Sequence, residues 1–161
     1  MIEVGQRMPE AALWRVGPNG PGRKPLKEYL TEKRVVLFGV PGAFTPTCDG
    51  AHLPSFIQAA DAFRSKGVDH ILCVAVNDAH VMFRWSEISG AEKAGIEMLA
   101  DSDGALARGL GLVYNNPTAG MFGRSRRFAM LIDHCTVTEF NLDEVGQYQA
   151  STADVLLGQM P

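Results

Sequence analysis

Two short apolar runs place the strongest limit on how this chain can fold. They are "RVVLFGV" (34–40) and "ILCVAV" (71–76). Both are continuous and rich in β-branched residues, a pattern typical of strands that are buried on both faces. The segment between them has apolar residues at helical spacing and ends at Lys66-Gly67, a helix stop signal. Residues 34–76 therefore predict a strand–helix–strand unit with a parallel strand pair.

The rest of the chain continues the alternation of helices and strands. Helices are predicted at 78–89, 103–112 and 151–160, and strands at 96–102, 126–133 and 136–142. We expect Pro54 to kink the first long helix, because proline removes a backbone donor. The Pro- and Gly-rich stretch 16–25 predicts a surface loop. No linker or repeat divides the chain, so we expect one α/β domain over residues 1–161, with a mixed sheet and helices on both faces.

Composition excludes several classes of partner. The net charge of −3 gives no general attraction to nucleic acid or to an anionic membrane. No apolar run approaches the length that crosses a bilayer. The first ten residues, "MIEVGQRMPE", lack the basic start and apolar stretch of a signal peptide. We therefore expect a cytoplasmic protein.

The three cysteines, Cys48, Cys73 and Cys135, are far apart in the sequence and include no CxxC pair. Their odd number and their spacing argue against a disulfide framework and against a zinc site. They favour a reducing compartment. No metal or cofactor is expected.

Cys48 lies where the first long helix begins. Thr45 is a suitable N-cap, and Pro46 suits the first helical position, where its missing N–H costs nothing. Cys48 is then the third helical residue, beside unpaired backbone N–H groups and the positive end of the helix dipole. Both favour a thiolate, the nucleophilic form of cysteine. Asp49 opposes this effect, and the alternative is that Cys48 is simply a small apolar residue in a helix turn.

A second positive charge could come from "GRSRRFAMLI" (123–132). Arg127 directly precedes a buried strand, so the sheet could hold it rigidly. The alternative is that Arg124, Arg126 and Arg127 form a solvated basic cluster.

Together these residues resemble the peroxiredoxins, which are thiol peroxidases with a thioredoxin-like fold. The family signature Pro-x-x-x-Thr-x-x-Cys is present as Pro41, Thr45 and Cys48, and "VPGAFTPTCDGAHLPSF" resembles the type II, peroxiredoxin-5-like branch. The resemblance continues through "GVDHILCVAVND", "LADSDGALARGLGL" and "GRSRRFAMLID". It implies a three-layer fold with a central mixed sheet.

The resemblance also implies roles for four residues. Cys48 attacks hydrogen peroxide or an organic hydroperoxide and becomes a sulfenic acid. Arg127 lies beside the thiolate, Thr45 contacts the thiolate or the peroxide, and Pro41 shields the pocket. Arg127, Thr45 and backbone N–H groups stabilise the negative charge that develops on the peroxide oxygens.

Reduction of the sulfenic acid requires a second thiol. Some relatives have a resolving cysteine near the start of the C-terminal helix, where this chain has Ala150. Cys73 matches a second cysteine of plant-type members, either as a resolving thiol or as a buried strand residue, and we favour the latter. Cys135 is expected to be a surface thiol in a hairpin turn. The resemblance therefore favours an external thiol: glutaredoxin with glutathione first, thioredoxin second.

Three further expectations follow. His52, four residues after Cys48, could form a catalytic pair, but a structural hydrogen bond is the favoured interpretation. A homodimer is expected, with Phe44 and the loop 109–123 as interface candidates. The competing functions are a redox-sensing or chaperone-like binding protein and a disulfide oxidoreductase, the latter disfavoured by the missing CxxC pair.

Overall fold

The computed structural model describes every residue from Met1 to Pro161. Its centre is a seven-stranded mixed sheet in the order β2-β1-β5-β4-β3-β8-β9, with a separate hairpin of β6 and β7. The strands are β1 Ala12–Gly17, β2 Gly20–Pro25, β3 Arg34–Gly39, β4 His70–Ala75, β5 Ile96–Ala100, β6 Val113–Asn116, β7 Met121–Ser125, β8 Phe128–Asp133 and β9 Thr136–Leu142. The helices are α1 Lys27–Leu30, α2 Leu53–Ser65, α3 Ala79–Ser89, α4 Ala105–Leu110 and α5 Ala153–Gln159.

The central strands are buried on both sides, as their continuous apolar runs predict. Alternate residues of β3 face opposite cores: Val36 and Phe38 contribute to one, and Val35 and Leu37 to the other. Helices α2, α3 and α5 pack on the first face and α1 and α4 on the second. The predicted mixed sheet with helices on both faces is confirmed.

Strand pairing decides which chain segments meet at the end of β3. Strands β3, β4 and β5 are parallel neighbours, connected through α2 and α3. Strand β8 runs antiparallel to β3, and Phe128 at its start pairs with Gly39 at the end of β3. The residue before Phe128 therefore lies beside the segment that follows β3.

The long helix after β3 has an unusual first part. Residues Cys48–His52 form a π-helical turn in which the N–H of Leu53 bonds to the carbonyl of Cys48, and regular α2 follows. Pro54 explains the change of pattern, because it has no N–H for the carbonyl four residues earlier. The structure therefore shows a widened turn directly before Pro54, and the kink predicted there stays a prediction.

Two predicted loops are hairpins. Residues 16–25 span the end of β1, the turn Pro18-Asn19 and β2, and the two strands pair over Ala12–Gly17 and Gly20–Pro25. The prolines misled the prediction, but β2 is the edge strand, where a missing N–H can face solvent. Much of 109–123, expected to be a loop, likewise lies in the short hairpin of β6 and β7.

Candidate functional site

Cys48 lies at the front of the long helix, as predicted. Helical structure begins at Pro46, and the N–H of Asp49 bonds to the carbonyl of Thr45 at 2.8 Å. The Cys48 side chain is only 1% exposed. The predicted side-chain cap is wrong, however: the Thr45 hydroxyl donates to the carbonyl of Gly42 at 2.8 Å and accepts no N–H of the first turn. Thr45 thus fixes the bend before the helix.

Arg127 comes to Cys48 from the neighbouring strand. Its Nη2 lies 3.4 Å from the Cys48 Sγ and donates toward it. The β3–β8 register, which places the start of β8 at the end of β3, brings the two residues together. The positive charge of Arg127 thus lies where it can attract negative charge on this sulfur.

The other two arginines of the predicted cluster also donate hydrogen bonds to backbone carbonyls of the chain. Arg124 donates to the carbonyl of Pro41 at 3.4 Å, and Arg126 donates to the carbonyl of Asp143 at 2.8 Å. The alternative of a freely solvated basic cluster is therefore wrong. These bonds tie the β7–β8 segment to the segment before Cys48 and to the chain after β9.

His52 makes the structural hydrogen bonds that the sequence favoured. It is fully buried, its Nε2 lies 2.9 Å from the carbonyl of Ser151, and its Nδ1 lies 3.1 Å from Nη1 of Arg127. Burial, and then the charge of Arg127, lower the pKa of His52 from 6.5 to about 3. The imidazole is therefore neutral and cannot add a second positive charge at Cys48.

The carboxylate of Asp49 has its hydrogen-bond partner on α3. Trp85 donates its indole N–H to Asp49 Oδ1 at 2.7 Å. Trp85 itself is fully buried. Asp49 is thereby held by a residue of α3.

A cleft of about 260 Å³ opens next to these groups. Among the residues that line it are Pro41, Thr45, Arg127 and Tyr148. Three of the four residues assigned by sequence resemblance thus border one cavity, and the fourth, Cys48, does not line the cavity but contacts Arg127, which does.

A loop that no sequence pattern predicted closes this site. Tyr148 follows β9, places its ring 5.9 Å from Arg127 Cζ and donates its hydroxyl to the carbonyl of Ala51 at 3.3 Å. Asp143 begins the same loop and is almost fully buried. Neither residue has a spacing signal in the sequence, because both act through contacts between distant segments.

The remaining cysteines are separate from the cleft. Cys73 is fully buried in β4, and burial, together with the nearby Cys48, raises the pKa of its thiol well above the usual range. The expectation of a surface thiol at Cys135 is wrong, because only 9% of Cys135 is exposed. All three cysteines are unpaired.

No group of three or more His, Cys, Asp or Glu residues is arranged to hold a metal ion. None of the helices combines the length and apolar character needed to span a bilayer.

Similarity to known proteins covers almost the whole chain. The Redoxin family matches residues 3–157. Peroxiredoxin-2C of Oryza sativa subsp. japonica is 42% identical over 157 residues, covering 97% of this chain and 96% of that protein. Peroxiredoxin-2E-2, chloroplastic, from the same plant is 41% identical over 160 residues, covering 97% of this chain and 71% of that protein.

A solved structure matches equally well. Reduced Prx3 from Vibrio vulnificus, in complex with H2O2, is 44% identical with a TM-score of 0.93, and the match covers 100% of both chains. Identity at this level over complete chains shows a shared family and not the fold alone. The chain therefore belongs to the peroxiredoxins of the Redoxin family, in their type II branch, and it is a thiol-dependent peroxidase with a thioredoxin-like fold.

Proposed function

We propose that Cys48 is the peroxidatic cysteine and that Arg127, Thr45 and Pro41 complete its site. The Cys48 thiolate attacks one oxygen of the peroxide in line with the O–O bond. An S–O bond forms as the O–O bond breaks, and the electron pair of the broken bond stays on the leaving oxygen. That oxygen takes a proton and leaves as water or an alcohol, while Cys48 becomes a sulfenic acid.

The contact between Arg127 and Cys48 is the observation that carries this proposal. Nη2 lies 3.4 Å from Sγ, and none of the ion pairs in the structure includes Arg127. Its positive charge is therefore available to the thiolate and to the oxygen on which charge develops. Fixed charge in a site with little water is an effective form of transition-state stabilisation.

Thr45 and Pro41 act at the same cleft. The Thr45 hydroxyl, which donates to Gly42, still has lone pairs that can accept a hydrogen bond from the hydroperoxide. Pro41 lines the cleft and limits access of further peroxide to the oxidised sulfur.

The substrates we propose are hydrogen peroxide and alkyl hydroperoxides. The Vibrio vulnificus relative was solved with H2O2, which supports the smaller substrate. Apolar side chains of the cleft, including Pro46, Met121 and Val145, could contact the alkyl group of the larger ones.

We propose that an external thiol reduces the sulfenic acid: glutaredoxin with glutathione first, thioredoxin as the alternative. Cys73 is fully buried with a raised pKa, and residue 150 is alanine. Neither position therefore offers a reactive thiolate to Cys48.

A homodimer and a reducing compartment such as the cytoplasm are proposed as the working state. The dimer is supported by Phe44 and Phe122, which are 43% and 64% exposed, an unusual exposure for phenylalanine near a site. The reducing compartment is supported by the three unpaired cysteines. A sedimentation mass equal to one chain, 17.4 kDa, would contradict the dimer.

Stopped-flow oxidation by hydrogen peroxide tests the site. Cys48→Ser should abolish turnover, and Arg127→Ala should slow oxidation by about 100-fold, because it removes the fixed charge. Arg84→Ala is the matched control, since Arg84 forms an exposed ion pair with Glu87 on α3. A wild-type protein that reacts no faster than free glutathione, or an Arg127→Ala variant as fast as wild type, would refute the assignment.

A further inference from the structure

Asp143 lies at the start of the loop that closes the site, and its carboxylate organises that loop. Oδ1 accepts the backbone N–H of Gln149 at 2.8 Å and that of Ala150 at 2.7 Å. Oδ2 accepts the N–H of Ser151 at 3.2 Å and also its hydroxyl. All four groups around the carboxylate are donors, so the loop is built around an ionised carboxyl group.

The backbone of Asp143 is fixed to Arg127 as well. Its N–H donates to the carbonyl of Arg127 at 3.1 Å, and its own carbonyl accepts from Arg126 at 2.8 Å. The residue therefore joins the start of β8 to the loop between β9 and α5.

The ordered loop presents one carbonyl to the buried imidazole. Ser151 is fully buried, and its oxygen lies 2.9 Å from Nε2 of His52. A carbonyl can only accept, so Nε2 must carry the hydrogen. A guanidinium can only donate, so Nδ1, which lies 3.1 Å from Nη1 of Arg127, must be bare. Both contacts thus require the same neutral tautomer.

The chain of contacts ends at the reacting sulfur. With Nη1 bound to His52, the guanidinium of Arg127 is turned so that Nη2 lies 3.4 Å from Cys48 Sγ. A neutral acceptor holds Arg127 without cancelling its charge, which a carboxylate in the same place would do.

We propose that Asp143, acting through Ser151 and His52, is a positioning residue that sets the orientation of Arg127 at Cys48. This inference rests on the proposed roles of Cys48 and Arg127. It adds that the Asp143 carboxylate, which is bound to backbone and hydroxyl groups of the loop between β9 and α5, affects the rate of peroxide attack through the orientation of Arg127. The burial of Asp143 acts to raise its pKa, but hydrogen bonds from the Ser151 hydroxyl and then from the loop N–H groups outweigh burial and lower the pKa.

The test is Asp143→Asn. In asparagine, an NH2 group replaces one carboxylate oxygen, so a donor would face the N–H or hydroxyl donors of the loop. The repulsion should weaken the hydrogen bonds that hold Ser151 in place. A misplaced Arg127 should slow oxidation of Cys48 by hydrogen peroxide roughly 10- to 100-fold. Alkylation of Cys48 by iodoacetamide, at a pH where the thiol is fully ionised, should stay within about twofold, because no charge develops on a peroxide oxygen. Asp154→Asn is the matched control, an exposed aspartate of α5 that should change neither rate.

A double-mutant cycle with Arg127→Ala tests whether Asp143→Asn lowers the peroxide rate through Arg127. If Asp143 acts through Arg127, Asp143→Asn lowers the peroxide rate no further in the Arg127→Ala background. An unchanged rate in Asp143→Asn, or an additive loss in the double variant, overturns the inference. An Arg127→Ala variant as fast as wild type would instead refute the proposed site itself, so the two failures are distinguishable.

A second variant keeps the inference testable if Asp143→Asn does not fold by circular dichroism. His52→Phe retains a ring among Phe38, Phe56 and Tyr148, which surround His52. It removes the acceptor for Arg127, and it should give the same selective loss of peroxide rate and the same non-additive cycle. A rate equal to wild type, or an additive cycle, would overturn the inference here too.

Discussion

The positive charge of Arg127 beside Cys48 is not offset by its second partner, because the imidazole of His52 is neutral. A carboxylate partner would hold the guanidinium as firmly but would offset the charge that the thiolate needs. The neutral state of His52 follows from burial and from the repulsion by Arg127, which together lower its pKa to about 3. At the scale of single residues, the site therefore consists of one cation, one sulfur and a neutral acceptor that orients the cation.

The lowered pKa of His52 predicts a pH-dependent stability. Its folded-state pKa of about 3 lies below the usual 6.5, so between these values the unfolded chain binds more protons than the folded one. Folding stability should therefore fall as the pH drops below 6.5, by about 2 kcal/mol between pH 7 and pH 5 from this group alone. Urea unfolding at several pH values measures the effect.

His52→Gln is the comparison for that experiment. Glutamine can donate and accept like the neutral imidazole but does not titrate. It should be less stable at pH 7 but should lose less stability between pH 7 and pH 5. Equal losses in both proteins would contradict the assigned neutral, buried state of His52.

At the scale of elements, the pairing of β3 with β8 decides the geometry of the site. Gly39 ends β3 and pairs with Phe128, the residue that follows Arg127. A Cβ on Gly39 would lie 2.1 Å from Cε1 of Phe128, far inside van der Waals contact. Gly39 therefore allows the Phe128 ring to cross the end of β3, which keeps Arg127 in register with the segment leading to Cys48.

Gly39→Ala should destabilise the protein. The Phe128 ring is only 1% exposed and packs edge-on against Phe140, so it has no free space to move into. Overpacking of this kind costs about 1–3 kcal/mol in the free energy of unfolding, measured with urea. Gly22→Ala on edge strand β2, where the nearest atom lies 4.0 Å from the added Cβ, should change stability by less than about 0.5 kcal/mol. Equal effects at the two sites would contradict the role given to Gly39.

At the scale of the whole molecule, the fold separates the three cysteines by environment. Cys48 contacts the guanidinium of Arg127, which lines the cleft, Cys73 lies inside the sheet, and Cys135 is buried at the turn between β8 and β9. Burial raises the pKa of the Cys73 thiol, and burial of Cys135 limits access to its sulfur. The catalytic cycle should therefore need one cysteine of the chain and a thiol from outside it.

Turnover in Cys73→Ala and Cys135→Ala variants checks this one-cysteine cycle. Both should keep peroxide turnover with glutaredoxin and glutathione, or with thioredoxin, within about twofold of wild type, because Cys73 has a raised pKa and both thiols are buried away from the cleft. Alanine avoids placing an unpaired hydroxyl inside the protein. A Cys73→Ala variant that is oxidised at the normal rate but no longer recycled would identify Cys73 as a resolving thiol.

Much of this architecture could be predicted where it depends on residues that are neighbours in the sequence. The runs at β3 and β4 indicate central strands because continuous apolar sequence is stable only when both faces are covered. Helix α3 begins after Asp78, whose carboxylate accepts the N–H of Val81 at 2.9 Å, and such caps are visible in sequence. The prediction failed at the β1–β2 hairpin, because whether a proline is tolerated in a strand depends on that strand lying at the sheet edge.

The sequence by itself determined the α/β class, the position of Cys48 at a helix start and, through its resemblance, the family. These depend on neighbouring residues and on motifs that lie within a short stretch of chain. Tertiary structure decided which partners reach the sulfur. Arg127 is 79 residues from Cys48, and Ser151 is 99 residues from His52, so only the strand register and the loop after β9 could bring them together. The physical reason is that a hydrogen bond depends on atomic positions of distant segments, which local sequence patterns do not specify.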